Sequence, residues 1–310
     1  MTRRLPASAV DVLDGRVELD MHVGDAALAP EEMRERLRDK EALIVLLSDR
    51  VDRTVIDSAP ALKIIANVAV GFDNIDVAHA ASRGIVVTNT PDVLTDAVAD
   101  LTWALILAVT RRIGEGERIV RRGAWRGWSF EFMLGSSLAG KQLGIVGPGR
   151  IGRAVGGRAL AFGMSLAYAS RSPVDWPGAE AMSMDRLLAT SDVLSLHVPL
   201  RPETRRLIDQ RALARMKRTA YLVNTTRGAV VDEAALAWAL EERLIAGAAL
   251  DVFEREPEVH PGLLALDNVV LTPHLGSATR ETRLAMAELA ARNVVAVLGG
   301  EPPLTPVIPR

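Results

Sequence analysis

Three residues of different chemical type follow apolar segments in the last third of the chain. Arg227 follows LVNTT, Glu256 follows ALDVFER, and His274 follows VVLTP. Each apolar segment is typical of a strand that runs into a polar loop, which is where α/β sheets place reactive groups. A guanidinium, a carboxylate and an imidazole could together bind an anionic substrate and transfer one proton. The three residues therefore predict acid–base chemistry on a negatively charged molecule.

A glycine-rich turn upstream could bind the redox cofactor that such chemistry needs. Gly147, Gly149 and Gly152 form a G-x-G-x-x-G pattern that follows a predicted strand and opens a helical pattern. In this context the glycines allow a tight turn and close approach of the backbone to a ligand. The helix N-terminus, with Arg150 and Ile151, would face the pyrophosphate. The pattern predicts a dinucleotide site, and a plain strand–helix turn is the less favoured interpretation.

The next predicted strand ends where NAD-specific sites usually carry an Asp or Glu for the adenosine ribose. Ser170, Arg171 and Ser172 stand there instead. A carboxylate would repel a 2′-phosphate, whereas two hydroxyls and a guanidinium would bind one. The sequence therefore favours NADPH over NADH as the cofactor. Asp175 lies close enough along the chain to keep NADH as the alternative.

The composition is typical of a soluble two-domain protein. A length of 310 residues allows two cores, and a net charge of −2 gives no bias toward nucleic acid or a membrane surface. Because cysteine is absent, disulfides, thiolate metal sites and a cysteine nucleophile are excluded, and no metal site is predicted. The segment MTRRLPASAVDVLDG lacks the apolar core of a signal peptide. We expect a cytoplasmic protein with no membrane partner.

Short apolar segments alternate with helical patterns along the chain, which is typical of parallel βαβ units. The predicted strands are Ala42–Leu47, Lys63–Ala69 and Gly84–Asn89 in a first unit, and Gln142–Gly147, Ser165–Ala169, Val193–Val198, Ala220–Asn224, Ala246–Asp251 and Asn268–Leu271 in a second. One long helical stretch, Val93–Arg122, is predicted to connect the units, and a last helix, Ala278–Leu298, returns to the first.

The predicted fold class is α/β, with two Rossmann-like or flavodoxin-like lobes built on parallel sheets. The cofactor lobe, residues 95–278, is inserted into a substrate lobe made of residues 1–94 and 279–310.

Several segments, in order, resemble motifs of the D-isomer-specific 2-hydroxyacid dehydrogenase family, and within it the glyoxylate/hydroxypyruvate reductases. They are NVAVGFDNID at 67–76, TPDVLTDAVADLT at 90–102, GPGRIG at 147–152, HVPLRPETRRLI at 197–208, NTTRG at 224–228, DVFEREP at 251–257 and PHLGSAT at 273–279. The resemblance covers nearly the whole chain. It implies NAD(P)H-dependent reduction of a small 2-oxoacid, such as glyoxylate or hydroxypyruvate, to the D-2-hydroxy acid.

The resemblance also implies a role for each residue of the first group. His274 would be the general acid that protonates the substrate carbonyl oxygen, Glu256 would orient its imidazole, and Arg227 would bind the 2-oxoacid. The backbone amides of Val70 and Gly71 would bind the substrate carboxylate from the other lobe, so that catalysis would depend on lobe closure. Family cofactor contacts map onto Thr95, Val198, Pro199, Thr204, Thr225, Asp251 and Gly276.

The sequence leaves alternatives open. Glu254 competes with Glu256 as the partner of the imidazole, although the family pattern places that carboxylate directly before proline. The substrate could instead be D-lactate, D-glycerate or a 3-phosphorylated acid, for which only Arg50 and Arg53 would supply cations near the 67–76 segment. A dinucleotide-sensing corepressor of the same fold, which binds without turnover, is less favoured because the complete catalytic group is present. His197 is interpreted as structural.

An aromatic segment, RGAWRGWSFEFML at 122–134, has two interpretations of similar weight. It could pack locally, or it could be a dimer arm that also shapes the substrate pocket, as in glyoxylate/hydroxypyruvate reductases. We expect a homodimer. In the family a first strand usually leads into a segment like TRRLP, which here begins at Thr2. We expect either that the recorded start is late or that the first lobe lacks a central strand, which the mass of the native protein would decide.

Overall fold

The computed structural model describes residues 1–24 and 26–308, and the chain divides into two compact units. Met1–Leu94 and Ala278–Arg310 form the first unit, and Thr95–Ser277 form the second. The second unit is therefore inserted between two segments of the first. The roles of substrate and cofactor domain that the sequence assigns to residues 1–94 with 279–310 and to residues 95–278 stay predictions.

The first unit is built on a three-stranded parallel sheet with the order β1-β2-β3. Its strands are β1 (Ala42–Val45), β2 (Ile64–Asn67) and β3 (Val86–Thr88), and its helices before the insertion are α1 (Ala7–Leu13), α2 (Pro30–Leu37), α3 (Arg53–Asp57) and α4 (Val77–Ser82). Every residue of β2 is buried, as the middle strand of a covered sheet requires. The predicted strands lie at these positions but each is shorter than predicted.

The first residues of the chain lie beside β1. The Thr2 amide donates to the Ile44 carbonyl at 3.1 Å, and the Met1 carbonyl accepts from the His22 amide at 3.0 Å. Thr2 and Arg3 are buried, and Arg3 pairs with the buried carboxylate of Asp49 at 3.1 Å. The segment that the sequence analysis singled out is therefore packed into the first unit.

The second unit is built on a seven-stranded parallel sheet with the order β10-β9-β8-β7-β4-β5-β6. The strands are β4 (Gln142–Val146), β5 (Ser165–Ala169), β6 (Ala179–Ala181), β7 (Val193–Leu196), β8 (Tyr221–Asn224), β9 (Gly247–Leu250) and β10 (Val269–Leu271). The helices are α5 (Thr95–Thr110), α6 (Ile113–Arg121), α7 (Arg150–Ala159), α8 (Met184–Thr190), α9 (Gln210–Arg215), α10 (Glu233–Glu241) and α11 (Pro261–Leu264). The strand order reverses between β4 and β7, and such a switch point is where α/β sheets bind ligands.

Helix α12 (Arg280–Leu298) follows the second unit and returns to the first. Its residues Ala287, Ala290 and Val294 join the core formed by α1 and the strands β1 and β2. None of the described helices is both long enough and apolar enough to cross a membrane.

The predicted single helical stretch Val93–Arg122 is wrong, because α5 ends at Thr110 and α6 begins at Ile113. The Thr110 carbonyl accepts a hydrogen bond from the Ser136 amide at 2.8 Å rather than continuing the helical ladder. Arg112 adopts a left-handed backbone, with φ of 55°. The segment at residues 135–136 therefore ends helix α5 at this point. The local sequence pattern does not predict this break.

Strand β6 was not predicted from the sequence. Its sequence, Ala179-Glu180-Ala181, is largely exposed and pairs with β5 at the edge of the sheet. An edge strand with one neighbour needs no apolar alternation, so the hydrophobic pattern carries no signal for it.

Candidate active site

The three residues of the first group follow neighbouring strands of the second unit. Arg227 lies after β8, Glu256 after β9 and His274 after β10. These strands are parallel neighbours, with Asn224 of β8 opposite Leu250 of β9. Parallel strands end on the same edge of a sheet, so the three loops leave the sheet side by side.

His274 and Glu256 form a hydrogen-bonded pair. The Nδ1 atom of His274 lies 2.8 Å from Oε2 of Glu256, and the two side chains are 25% and 31% exposed. The other carboxylate oxygen of Glu256 accepts from the Phe253 amide at 3.0 Å. Because both carboxylate oxygens are engaged, the carboxylate fixes the ring through Nδ1. The Nε2 atom of His274 is then the imidazole nitrogen available to a substrate.

The Glu256 carboxyl group is held in its ionised form. Burial opposes ionisation, but the hydrogen bond and charge of His274, the Phe253 amide and the charge of Arg227 together hold its pKa below the ordinary value. The competing residue Glu254 is engaged elsewhere, since its carboxylate contacts Arg206 at 3.3 Å and its amide donates to Glu233. The geometry therefore selects Glu256 as the partner of the imidazole.

Asp251 holds the loop that carries His274. Asp251 is 1% exposed. Its carboxylate accepts from the Thr272 hydroxyl at 2.6 Å, the Leu275 amide at 2.7 Å and the Gly276 amide at 2.8 Å. The His274 amide donates to the Asp251 carbonyl at 2.9 Å, and His274 has a left-handed φ of 54°. Asp251 and Gly276, expected as cofactor contacts, are thus joined to each other. Together they stabilise the backbone turn that carries His274.

Two residues that the sequence analysis missed position Arg227. The Asn224 side chain donates to the Arg227 carbonyl at 2.9 Å and accepts from the Thr226 amide at 3.1 Å. A Cβ atom at Gly228 would lie 1.8 Å from the Phe253 carbonyl carbon, so only glycine lets the two loops meet. The NTTRG motif contains both residues, and its asparagine and glycine were the available signal.

The glycine-rich turn has the shape of a dinucleotide cradle. A Cβ at Gly147 would lie 2.8 Å from the His197 carbonyl oxygen, and a Cβ at Gly152 would lie 2.4 Å from the Gly147 carbonyl oxygen. The space above Gly149 is open, with nothing within 4 Å of a Cβ there. Gly149 caps α7, whose first residues are Arg150 and Ile151. Their amides belong to the first helical turn, and the N-terminus of a helix suits a diphosphate.

The loop after β7 closes on itself beside this turn. The Thr204 hydroxyl donates to the Pro199 carbonyl at 2.7 Å and accepts from the Arg201 amide at 2.8 Å, and the Val198 carbonyl accepts from the Thr226 hydroxyl. Thr204 therefore shapes the loop that presents Val198 and Pro199.

His197, at the start of the same loop, pairs through Nε2 with the Ser195 hydroxyl at 2.8 Å. Burial lowers the pKa of His197 to about 3, so its imidazole is neutral near pH 7.

The remaining residues expected to contact the cofactor lie at the start of α5, after β8 and after β5. Thr95 begins α5, and the Thr225 hydroxyl lies 3.0 Å from the Thr102 hydroxyl of the same helix. Ser170, Arg171 and Ser172 are exposed directly after β5. The segment that follows them is held by Arg153, which donates to the Asp175 carbonyl at 2.7 Å and lies over the Trp176 ring.

In the first unit, Val70 and Gly71 follow β2 and are partly buried. Their backbone lies among the side chains of Asn67 and Asn89, which donate to the Gly71 and Val70 carbonyls at 2.8 Å each.

A family model agrees with this arrangement. The model of the D-isomer specific 2-hydroxyacid dehydrogenase NAD binding domain matches residues 103–276. This range includes the glycine-rich turn and all three residues at the strand ends. The chain belongs to this family. It is therefore an oxidoreductase with a nicotinamide dinucleotide domain, and its α/β fold with parallel sheets is the fold of D-2-hydroxyacid dehydrogenases.

Relatives of this D-2-hydroxyacid dehydrogenase match over nearly its whole length. A glyoxylate reductase of Thermococcus litoralis is 49% identical over 311 residues, which cover 98% of this chain and 94% of the relative. A solved protein of Thermus thermophilus has a TM-score of 0.94 and 48% identity, covering 99% of this chain and 98% of that one. An NADPH-dependent glyoxylate/hydroxypyruvate reductase of Sinorhizobium meliloti, solved with NADP and malonate, has a TM-score of 0.89 and 37% identity, covering 98% and 94%.

Proposed function

We propose that this dehydrogenase reduces glyoxylate or hydroxypyruvate to the corresponding D-2-hydroxy acid. The observation that carries the proposal is the 2.8 Å contact between His274 Nδ1 and Glu256, which directs the other ring nitrogen to a substrate. The glyoxylate reductases among its relatives support the choice of a small 2-oxoacid.

The mechanism assigns a separate task to each residue. A bound nicotinamide dinucleotide supplies the hydride that reduces the substrate carbonyl carbon. His274 donates the proton on Nε2 to the carbonyl oxygen. This oxygen is therefore never left as a free alkoxide. Glu256 stays ionised and stabilises the charged imidazolium before the proton leaves it. Arg227 binds the carboxylate and carbonyl oxygens of the 2-oxoacid with its planar guanidinium.

The backbone amides of Val70 and Gly71 are proposed to bind the substrate carboxylate. Two adjacent N–H groups match the two oxygens of a carboxylate, and hydrogen bonds to a charged acceptor are the strong ones. This assignment does not constrain the group attached to the carbonyl carbon, so small 2-oxoacids with different groups there could share the site.

NADPH is the proposed cofactor. The exposed Ser170, Arg171 and Ser172 lie directly after β5, where a ribose 2′-substituent is expected, and they present two hydroxyls and a cation. Asp175, the residue that keeps NADH as the alternative, follows them, and its backbone carbonyl accepts from Arg153. The NADP complex of the Sinorhizobium meliloti relative supports the same choice.

A substrate and cofactor panel tests the proposal. NADH and NADPH are each assayed against glyoxylate, hydroxypyruvate, pyruvate and phosphohydroxypyruvate with purified protein. We expect the highest kcat/KM for NADPH with glyoxylate or hydroxypyruvate. The absence of turnover of both acids at saturating cofactor would contradict the proposal. Nucleotide binding without turnover of any acid would instead indicate a sensing protein.

We also propose that the enzyme is a homodimer joined through the aromatic segment at 122–134. Trp128 and Phe130 are each 81% exposed, and α6 before them buries none of its residues. The other interpretation of the sequence, local packing, would require these side chains to be buried in their own unit, and they are exposed. Exposed aromatic clusters of this kind are typical of interfaces.

A further inference from the structure

The two backbone amides proposed to bind the substrate carboxylate make no hydrogen bond within the described part of the chain. Within residues 1–24 and 26–308, the Val70 and Gly71 N–H groups donate to no acceptor. Both residues are partly buried, and the segment around them bends directly after β2. A backbone N–H group needs a hydrogen-bond acceptor, and an anionic ligand is one way to supply it.

The carbonyl groups around these amides are, in contrast, all engaged. The Ala69 carbonyl accepts from the Thr90 amide at 2.9 Å. The Val70 carbonyl accepts from Nδ2 of Asn89 at 2.8 Å, and the Gly71 carbonyl accepts from Nδ2 of Asn67 at 2.8 Å. Three successive peptide groups are therefore fixed by donors located at the ends of β2 and β3.

In a planar trans peptide, the carbonyl of one residue and the amide of the next point in opposite directions. Fixing the Ala69 carbonyl therefore fixes the direction of the Val70 N–H, and fixing the Val70 carbonyl fixes that of the Gly71 N–H. We propose that Asn89 is a positioning residue that orients the Gly71 amide toward the substrate carboxylate, beside the Val70 amide that the Thr90 hydrogen bond orients. This inference rests on the proposed function and identifies the residues that prepare its anion site.

The surroundings of Asn89 support a positioning role. Its main chain is fixed on both sides by Thr305, whose carbonyl accepts the Asn89 amide at 3.3 Å and whose hydroxyl donates to the Asn89 carbonyl at 2.7 Å. The side chain is therefore anchored at its base while its amide reaches the Val70 carbonyl. A neutral amide donor also leaves the substrate's negative charge to the backbone N–H groups, whereas a lysine at this position would compete for it.

The test compares Asn89→Ala with the wild-type enzyme. Without the amide donor the 70–71 peptide can rotate, so both the KM for glyoxylate and the Kd for oxalate should rise roughly 10- to 100-fold. The kcat at saturating glyoxylate should change little, because the carboxylate is bound equally in the ground state and the transition state. The Kd for NADPH, measured by nucleotide fluorescence, should be unchanged.

Asn268→Ala is the matched control. Its side-chain amide also holds backbone carbonyls, those of Leu240 and Ala246 at 3.3 Å each, but it lies in the second unit before β10. This variant should lose comparable thermal stability without a change in the KM for glyoxylate. The proposal is overturned by an unchanged KM in Asn89→Ala, by an equal rise in Asn268→Ala, or by a loss of kcat and NADPH affinity in place of KM.

A second variant and a binding measurement test the proposal if the first variant does not fold or the enzyme does not reduce glyoxylate. If Asn89→Ala does not fold, Asn89→Ser removes the same amide donor while keeping a polar side chain, and the same rise in KM is expected. If the wild-type enzyme does not reduce glyoxylate, the proposed function fails. Oxalate binding then tests the amide site alone: tight binding that Asn89→Ala or Asn89→Ser weakens supports it, and no binding to the wild-type protein overturns it.

Discussion

At the scale of single residues, the proposed proton transfer depends on His274. His274→Ala removes the imidazole that a carboxylate holds at Nδ1 and that leaves Nε2 for the substrate. We expect turnover to fall on the order of 10²- to 10⁴-fold while NADPH binding stays nearly intact. His79→Ala is the control, since His79 also pairs with a carboxylate, Asp57 at 2.8 Å, but lies on α4 of the first unit. Near-wild-type turnover of His274→Ala would contradict the assignment.

The Glu256 carboxyl predicts a pH dependence of stability. Its pKa is lower in the folded protein than its ordinary value of 4.5. A carboxyl of this kind stabilises the fold above its unfolded pKa, and the stabilisation is lost as the pH falls through its folded pKa. The stabilisation that Glu256 contributes relative to Glu256→Gln should therefore be present above about pH 4.5 and shrink as the pH falls below that value. Urea unfolding of both proteins across this range measures it; a constant difference would contradict the assignment.

The proposed preference for NADPH over NADH rests on Arg171. In Arg171→Ala the KM for NADPH should rise by roughly tenfold or more, because a charged hydrogen bond to the 2′-phosphate is lost, while the KM for NADH changes little. Arg215→Ala, which removes an exposed arginine paired with Asp185 on α8, should affect neither cofactor. An equal loss for NADPH and NADH in Arg171→Ala would remove the argument for the phosphate.

At the scale of elements, the loops after β8 and β9 touch at Gly228 and Phe253, beside Arg227. Gly228→Ala places a Cβ 1.8 Å from the Phe253 backbone, so the loops must separate, at a cost of about 3 kcal/mol. We expect a lower melting temperature together with a lower kcat/KM. Gly157→Ala is the matched control, since nothing lies within 4 Å of its Cβ in α7. It should stabilise the protein by about 0.5–1 kcal/mol and leave activity unchanged. Equal effects of both variants would contradict this account.

At the scale of the whole molecule, the aromatic segment is proposed to join two copies of the chain. Trp128→Glu combined with Phe130→Glu places two charges at positions whose side chains are each 81% exposed in one copy. A buried interface would then contain unpaired charges, so we expect the dimer to dissociate. Sedimentation velocity measures the mass. Leu264→Glu, at an exposed apolar residue on α11, is the control and should remain a dimer. A monomeric wild type would contradict the proposal.

The sequence predicted most of the fold because its signals are local. Alternating apolar and helical segments indicate parallel βαβ units, and the predicted strands lie at nearly the same positions in both sheets. The glycine-rich turn could be recognised because close backbone approach restricts Gly147 and Gly152 to glycine. The pairing of Glu256 with His274 was implied by the resemblance to the dehydrogenase family, whose pattern places the carboxylate directly before proline, although the sequence left Glu254 as a competitor.

Other features depend on contacts between distant residues. The break between α5 and α6 depends on the Ser136 amide reaching the Thr110 carbonyl. The choice of Glu256 over Glu254 depends on Arg206 and Glu233 engaging Glu254. The hydrogen bond on the Val70 carbonyl depends on Asn89, which follows the next strand of the sheet, β3. The sequence alone determined the fold class and the chemical groups, because periodicity and residue type are local properties. Only the tertiary structure decided their partners, because a hydrogen bond needs two groups within about 3 Å and sequence spacing does not specify that distance.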